Sequence, residues 1–299
     1  MSPGSGRAAL LIALAGFALL SVGDAVVKSM AGAWPGTAVS GLRYAFGAVG
    51  LGVAVALTYG RAGFVLPRPA LQAGRGAAVA LATVCFFMGV MAMPLADTTA
   101  IQFTSPILTA LLAPLVLKER APRGTWAATL LAFAGVLIVL RPNVVELGAA
   151  AMYPLGAAFG MSWLMMLNRK AAGDAPVMVM QFLLAMFAAP LLAGIAVTLD
   201  AVGGAPFQVP PPTLEVIAKC AVVAVTATIG HTLIFAAVVR ATAPAVAPMT
   251  YVQLIVAAGL GWAWFGEALD AATFGGAALI IGGGLLLWRA QRRADLGER

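Results

Sequence analysis

The chain has 299 residues, of which 62% are hydrophobic and 10% are charged. Soluble domains carry roughly 25% charged residues, so this composition, with a mean hydropathy of +0.99, excludes a soluble globular protein and indicates an integral membrane protein. The formal net charge of +7 requires no nucleic-acid partner, because the orientation of the helices accounts for the basic excess. The two cysteines, Cys85 and Cys220, lie in apolar runs, which favours packing over a disulfide framework.

Apolar segments long enough to cross a bilayer follow one another along the chain. A spanning helix needs about 20 apolar residues, and the sequence accommodates about ten such helices joined by short loops. The predicted helices are 8–31, 34–59, 76–95, 98–117, 125–140, 147–167, 177–199, 214–239, 243–265 and 271–288. The first also has features of a secretory signal, because Arg7 precedes an apolar core. We expect it to be retained, since its removal would leave nine helices and destroy an internal repeat.

That repeat covers one stretch of the chain that occurs twice. Residues 93–141 align without a gap with residues 241–289. Both copies have an apolar helix with a glutamate at its end, Glu119 or Glu267, then a short break and a glycine-containing apolar helix that ends in arginine. This pattern indicates two related halves of five helices each. The predicted halves are 1–143 and 144–299.

The basic residues collect on one side of the membrane if the N-terminus is cytoplasmic. That side carries Arg7, Arg61, Arg68, Arg75, Lys118, Arg120, Arg123, Arg169, Lys170, Arg240 and the arginines from Arg289 onward. Both termini are therefore predicted to be cytoplasmic, in a bacterial-type inner membrane. Because five is an odd number, the second half enters the membrane from the opposite face, and the halves are predicted to be inverted. Inverted repeats are typical of secondary transporters, in which two bundles alternately open a central site.

Short motifs in both halves resemble those of a known family. They are Lys28 at the end of the first helix, Arg43-Tyr44, Thr104-Ser105-Pro106-Ile107, Leu117-Lys118-Glu119, Phe265-Gly266-Glu267, and Gly275-Gly276 with Leu279. By these residues, the chain resembles the drug/metabolite transporter superfamily, in its ten-helix EamA-type branch. The resemblance implies this fold and a transport role, and the chain is most similar to exporters of aromatic and other neutral amino acids. It departs from the family in the ninth helix, where Leu254 replaces a proline and Pro248 lies earlier.

Ionisable side chains inside the membrane are candidates for a functional site, because a charge there costs a few kcal/mol. Asp24 and Lys28 are four residues apart in the first helix, with the acid nearer the N-terminus, which favours a helical ion pair. We interpret them either as a structural pair or as a gate that contacts a zwitterionic substrate. Arg43, in the second helix, either competes for Asp24 or binds a substrate carboxylate through a bidentate fork.

Polar and aromatic residues of the other helices predict a substrate cavity. Gln102 shares one face of the fourth helix with Thr98, Ser105 and Thr109. Such a stripe must face protein or a water-filled cavity, so hydrogen bonding between helices and cavity lining both remain open. The other candidates for substrate binding are Ser162, Trp163, His231, Tyr251 and Gln253. Pro106 and Pro248 are predicted to kink their helices, because proline removes a backbone hydrogen bond.

His231 is the only histidine, and it suits either a hydrogen bond between helices or a proton carrier. No second histidine or cysteine lies near it in the sequence, so we expect no metal site, and nothing in the sequence requires a cofactor. Because intramembrane carboxylates are scarce, the sequence favours facilitated diffusion, with proton antiport through Asp24 or His231 as the alternative.

These observations predict a secondary transporter that exports small amphipathic metabolites, neutral and aromatic amino acids first, by alternating access. The alternatives are a membrane-embedded enzyme with a lipidic substrate, a channel, or a transporter of nucleosides or drugs on the same fold. No HExxH motif, paired intramembrane aspartates or nucleophile constellation supports an enzyme. The expected partners are a small-molecule substrate and the lipid bilayer. The oligomeric state stays open, and a monomer suffices for this mechanism.

Overall fold

The computed structural model of the chain describes residues 3–116, 127, 130–131, 133–135, 137–138, 148–171, 173–240, 252–268 and 271–295. Within these ranges the regular elements are all helical. The α-helices are α1 (Pro3–Lys28), α2 (Gly36–Tyr59), α3 (Pro69–Ala92), α4 (Leu95–Gln102), α5 (Ser105–Val116), α6 (Met152–Lys170), α7 (Val177–Val202), α8 (Leu214–Arg240), α9 (Val252–Phe265) and α10 (Ala271–Asp295). Short 3₁₀ turns occupy Gly60–Gly63, Gly148–Ala151 and Ala205–Phe207.

The predicted class, an all-α membrane protein, is confirmed. Five segments of the described residues are long and apolar enough to cross a membrane, namely Leu11–Lys28, Gly36–Gly63, Pro69–Ala92, Val177–Val202 and Leu214–Ile234. Two shorter apolar helices cover Val252–Phe265 and Ala271–Gly283. These elements are consistent with ten spans. Half of the predicted fifth helix, 125–140, lies outside the described residues, and those of its residues that are described are helical.

The predicted fourth helix is divided into two. α4 ends at Gln102 and α5 begins at Ser105. In the turn between them, the backbone N–H and the hydroxyl of Thr104 both donate to the Ile101 carbonyl, at 3.1 and 2.8 Å. Pro106 is the second residue of α5. Because proline lacks an N–H and its ring crowds the carbonyl four residues earlier, a continuous helix through this point is disfavoured.

α3 begins at Pro69, earlier than the predicted start at residue 76, and it includes Arg75, which the sequence pattern assigns to a loop. Arg75 is buried, with 3% of its surface exposed. Its Nε donates to Asn168 Oδ1 at 2.7 Å, and its guanidinium also donates to Gln72 Oε1 at 2.5 Å. These partners offset the cost of burying the charge. A sequence pattern cannot show such partners, so it assigns the arginine to a loop.

Helix packing defines two bundles among the described helices. α1 packs against α8 and α9, and we call these three helices the α1 bundle. α3 packs against α6, which also contacts α4 and α5, and we call these four helices the α3 bundle. α4 also packs against α9, so it adjoins the α1 bundle. α2 packs against α7 and also contacts α8 and α3, so it touches both bundles.

Each bundle combines helices from both predicted halves. α1 and α6 are the first helices of the two predicted halves, and α3 and α8 are the third helices. In both bundles, therefore, the first helix of one half packs against the third helix of the other, and small residues lie at both crossings. A Cβ atom on Gly16 would lie 2.8 Å from the Gly230 carbonyl oxygen, and one on Gly160 would lie 2.7 Å from the Ala82 nitrogen. Glycine therefore permits the close approach of these helices. The division of the chain at residue 143 and the inversion of the halves stay predictions.

Candidate substrate site

A narrow cleft lies where α1, α2, α3 and α8 meet. It is lined by Leu20, Gly23, Asp24, Arg43, Phe87, Val223, Thr226 and Ala227. Its volume of about 20 Å³ accommodates about one water molecule. Ligand pockets in proteins are typically about 300–1,000 Å³, so the cleft must widen before it can hold a metabolite.

Asp24 brings a carboxylate to the cleft, and Gln253 holds it. The Nε2 of Gln253 donates to Asp24 Oδ2 at 3.1 Å, and the Gln253 backbone carbonyl accepts a hydrogen bond of 2.7 Å from the hydroxyl of Ser21. Together these bonds attach α9 to α1 on the face of α1 that carries Asp24. Asp24 is partly buried and interacts electrostatically with Arg43.

Arg43 brings a guanidinium to the same cleft. It lies over the ring of Tyr44, 4.7 Å from the ring centre, and over the ring of Phe87, 5.6 Å from the ring centre. Within the described part of the chain, it forms ring contacts but no ion pair. His231 is exposed on α8. The guanidinium is therefore positioned by aromatic rings, with its donors available to a carboxylate ligand.

The ion pair that we expected between Asp24 and Lys28 is replaced by other partners. The Lys28 ammonium lies 2.6 Å from Glu267 Oε1, beyond the end of α9, while Asp24 accepts from Gln253. Spacing along one helix favoured the local pair, which is worth only a few tenths of a kcal/mol. The tertiary structure offers Lys28 a largely buried carboxylate, and a buried charge without a partner costs far more than the local pair contributes.

Three of the other predicted residues, Ser162, Trp163 and Gln102, are not among the residues that line the cleft. Ser162 is fully buried on α6, and its hydroxyl donates to the Phe159 carbonyl at 2.9 Å. The ring of Trp163 stacks on that of Phe159, with the ring centres 6.4 Å apart and the planes at 15°, and it is 37% exposed. Gln102 is partly buried at the end of α4. Pro248 and Tyr251 lie outside the described residues.

Sequence reasoning missed the roles of two residues. Glu267 belonged to a repeated motif, and its identity with Glu119 in the first copy was a signal that we interpreted only as a helix end. Phe87 carried no signal, because one phenylalanine in an apolar helix resembles any other. Its place beside Arg43 depends on how α3 packs against α2.

An all-helical membrane protein with unlike charges around a narrow cleft between helices has the features of a small-molecule transporter, and comparison with known proteins supports this class. The family model of the EamA-like transporter family matches the chain twice, over residues 7–141 and 148–289. The chain belongs to the EamA-like transporter family.

Characterised relatives transport different molecules. A pseudopaline exporter of Pseudomonas aeruginosa is 28% identical over 95% of this chain and 96% of its own length. An S-adenosylmethionine uptake transporter of Rickettsia prowazekii is 23% identical over 92% of this chain and 90% of its own length. A riboflavin transporter of Rhizobium johnstonii is 30% identical, over 72% and 69% respectively. The chain is thus a multi-pass membrane transporter from a family that transports small molecules. The names of these relatives do not single out amino acids as the substrate.

A solved crystal structure supports the fold. It has a TM-score of 0.61 to this chain at 22% sequence identity, and the match covers 97% of this chain and 99% of the other. At this identity the similarity concerns the fold alone.

Proposed function

We propose that this protein exports small zwitterionic metabolites, neutral and aromatic amino acids first, across the bacterial inner membrane by alternating access. One observation carries the proposal. Asp24 and Arg43 line one cleft without forming an ion pair with each other among the described contacts. A zwitterion carries an ammonium group and a carboxylate, which match these two side chains. Phe87 and Tyr44 beside Arg43 suit an apolar or aromatic substrate side chain.

The size of the cleft supports a moving transporter over a permanently open pore. A cavity of about 20 Å³ has no room for an amino acid. Binding therefore requires the α1 bundle and the α3 bundle to separate around the cleft, as in transporters whose bundles rock about a central site. Gln102, Ser162, Trp163 and His231 remain proposed parts of the path beyond the cleft. Uptake by the Trp163→Ala variant in proteoliposomes tests that extension.

The riboflavin transporter relative, at 30% identity, favours riboflavin as a second candidate substrate. Both candidates belong in one assay. The purified protein is placed in proteoliposomes, and uptake of radiolabelled leucine, phenylalanine, tryptophan, threonine, lysine, glutamate and riboflavin is measured with and without an imposed pH gradient. Saturable uptake of the neutral amino acids is expected. Uptake of riboflavin alone would replace the first proposal, and a dependence on the gradient would identify proton antiport.

Charge-neutral substitutions in the cleft test the two proposed contacts. Asp24→Asn and Arg43→Gln each remove one charge and are expected to reduce uptake at low substrate concentration by about tenfold or more, since a charged hydrogen bond contributes about 1.5–3 kcal/mol. Lys219→Gln is the matched control, because Lys219 pairs with the exposed carboxylate of Glu215 outside the cleft. Full uptake in both cleft variants would remove Asp24 and Arg43 from the substrate site.

A further inference from the structure

We infer that Lys28 and Glu267 form a clamp that closes one end of the transport path by binding the adjoining ends of α3 and α4, an inference that rests on the proposed alternating access. We call this group, Lys28 and Glu267 with the backbone of Val90, Met93 and Leu95, the Lys28 clamp. By the predicted orientation, it lies at the outer face of the membrane.

Both charged residues of the clamp come from the α1 bundle. Lys28 is the last residue of α1, and Glu267 follows the end of α9. Their charged atoms lie 2.6 Å apart, and each side chain is 13% exposed. Lys28 also lies 5.6 Å from the centre of the Phe265 ring. The pair is thus assembled within one bundle and largely shielded from water, so its interaction is stronger than that of a surface ion pair.

The remaining bonds of the pair all reach the α3 bundle. Lys28 Nζ donates to the carbonyls of Val90 and Met93, at 3.1 and 2.5 Å, which lie at the carboxyl end of α3. Glu267 Oε2 accepts from the backbone N–H of Leu95, the first residue of α4, at 2.9 Å. The ammonium therefore meets the negative end of one helix dipole, and the carboxylate meets the positive end of the next. These bonds add to the packing of α4 against α9 and of α1 against α3, and together they hold the two bundles in contact at this end of the molecule.

The end of α9 is shaped to present Glu267. Gly266 has a φ of +64°, the left-handed conformation in which helices commonly end. The N–H of Glu267 then bonds back to the Gly261 carbonyl at 3.1 Å. A Cβ atom on Gly261 would collide with the Glu267 carboxylate, so only glycine leaves room for it. A substitution at Gly261 can thus displace the carboxylate without removing any charge.

The clamp separates the cleft from one face of the membrane. Asp24 lies one helical turn before Lys28 on α1, and Phe87 precedes Val90 by about one turn on α3, so residues of the cleft lie directly beneath the clamp. For the cleft to open towards the end of α1, the end of α3 must leave α1. The hydrogen bonds from Lys28 to Val90 and Met93 must then break.

The test measures access to the cleft and does not depend on transport. A reporter cysteine replaces Thr226, which lines the cleft, in a Cys85→Ala, Cys220→Ala background. The rate at which a membrane-impermeant thiol reagent modifies this cysteine is measured from each face, in intact spheroplasts and in inverted vesicles. Lys28→Gln and Glu267→Gln are expected to raise the rate of modification from the face that carries the clamp by about tenfold or more. Each ~1.4 kcal/mol by which a variant destabilises the closed state raises the open population tenfold. Arg61→Gln, at an exposed arginine of the α2–α3 loop at the other end of the helices, is expected to leave this rate unchanged.

Two further variants distinguish the clamp from an ordinary ion pair. The double variant Lys28→Glu with Glu267→Lys restores a pair of opposite charges. It places the carboxylate against the carboxyl end of α3 and the ammonium against the start of α4, so its reporter cysteine is expected to be modified as fast as in the single variants. Gly261→Ala keeps both charges and is expected to raise the rate, so it reports on the clamp even where Lys28→Gln lowers the yield of folded protein. Gly259→Ala, at a glycine of the same helix with open space around its Cα, is its matched control and is expected to match the parent.

A slow rate in the charge-reversed double variant would overturn the clamp, as would rates unchanged by Lys28→Gln, Glu267→Gln and Gly261→Ala. If the proteoliposomes still take up amino acids, these results would contradict the clamp but not the proposed transport of amino acids. Faster modification in a protein that transports none of the tested solutes would support the clamp and refute the proposed substrate. The two proposals therefore fail separately.

Discussion

Charged side chains in this protein differ in how their charges are balanced. Lys28 has a carboxylate and two carbonyls around its ammonium, all within 3.1 Å. Among the described residues, Arg43 has ring contacts and an electrostatic interaction with Asp24 but no ion pair, and Asp24 has one amide partner. Burying a charge without partners is costly. A charge whose partners all come from the protein therefore stabilises the fold, whereas a charge with few partners in the protein is available to bind a ligand. This contrast underlies both proposals.

Two buried threonine hydroxyls, one with a hydrogen-bond partner and one without, test how much such a bond contributes to stability. The hydroxyl of Thr37 is buried without a hydrogen-bond partner in the described structure, whereas that of Thr83 lies 3.2 Å from the Tyr44 hydroxyl. Thr37→Val is expected to leave the melting temperature unchanged or higher, because no bond is lost. Thr83→Val is expected to lower stability by about 1 kcal/mol, because it leaves Tyr44 unpaired. Thermal unfolding in detergent measures both, and a destabilising Thr37→Val would indicate an unseen partner.

At the scale of elements, the helices are joined through small residues. Apolar side chains on a membrane helix gain little by leaving lipid, so association depends on close packing. The crossing of α1 and α8 at Gly16 and Gly230 brings backbone against backbone. The break between α4 and α5 also affects a whole element, because it divides the predicted fourth span into two helices.

Alanine substitutions separate packing glycines from the others. A Cβ atom on Gly230 would lie 2.9 Å from Leu20 Cδ2 and 3.0 Å from the Gly16 carbonyl oxygen, whereas one on Gly50 meets nothing within 4 Å. Gly230→Ala is expected to destabilise the protein by about 1–3 kcal/mol through overpacking. Gly50→Ala is expected to be neutral or stabilising by up to about 1 kcal/mol, since alanine is the better helix former. Equal melting temperatures for the two variants would contradict the close crossing.

At the scale of the whole molecule, the loops separate into two groups at opposite ends of the helices. Trp34 Nε1 donates to the Pro210 carbonyl at 2.9 Å, which ties the α1–α2 loop to the α7–α8 loop. Arg68 Nε donates to Asp174 Oδ2 at 2.8 Å, which ties the α2–α3 loop to the α6–α7 loop. The second group carries the basic residues and is expected to face the cytoplasm.

Cysteine labelling tests that orientation. Single cysteines at the exposed positions Ala62 and Ala205, in a background without Cys85 and Cys220, report on the two groups of loops. An impermeant reagent is expected to label Ala205→Cys in intact spheroplasts and Ala62→Cys only after the membrane is broken. The reverse pattern would place both termini outside and the Lys28 clamp at the cytoplasmic face.

By itself the sequence determined the class of protein and the positions of most helices. These follow from composition, from the length of apolar runs and from the cost of charge in lipid, which are local properties. It placed Asp24, Lys28 and Arg43 in helices that are long and apolar enough to span a membrane. It paired Asp24 with Lys28, whereas each has another partner in the structure, because helical spacing describes only neighbours along one helix.

Only the tertiary structure decided which side chains meet. Lys28 pairs with Glu267, and Gln253 binds Asp24, across more than 200 positions of sequence. In a soluble helix, an apolar stripe identifies the face that packs inward. A membrane helix is apolar on every side because lipid and protein interior are similar solvents, so its sequence does not reveal which face meets another helix. The partners of each charge therefore emerged only when the helices were packed together.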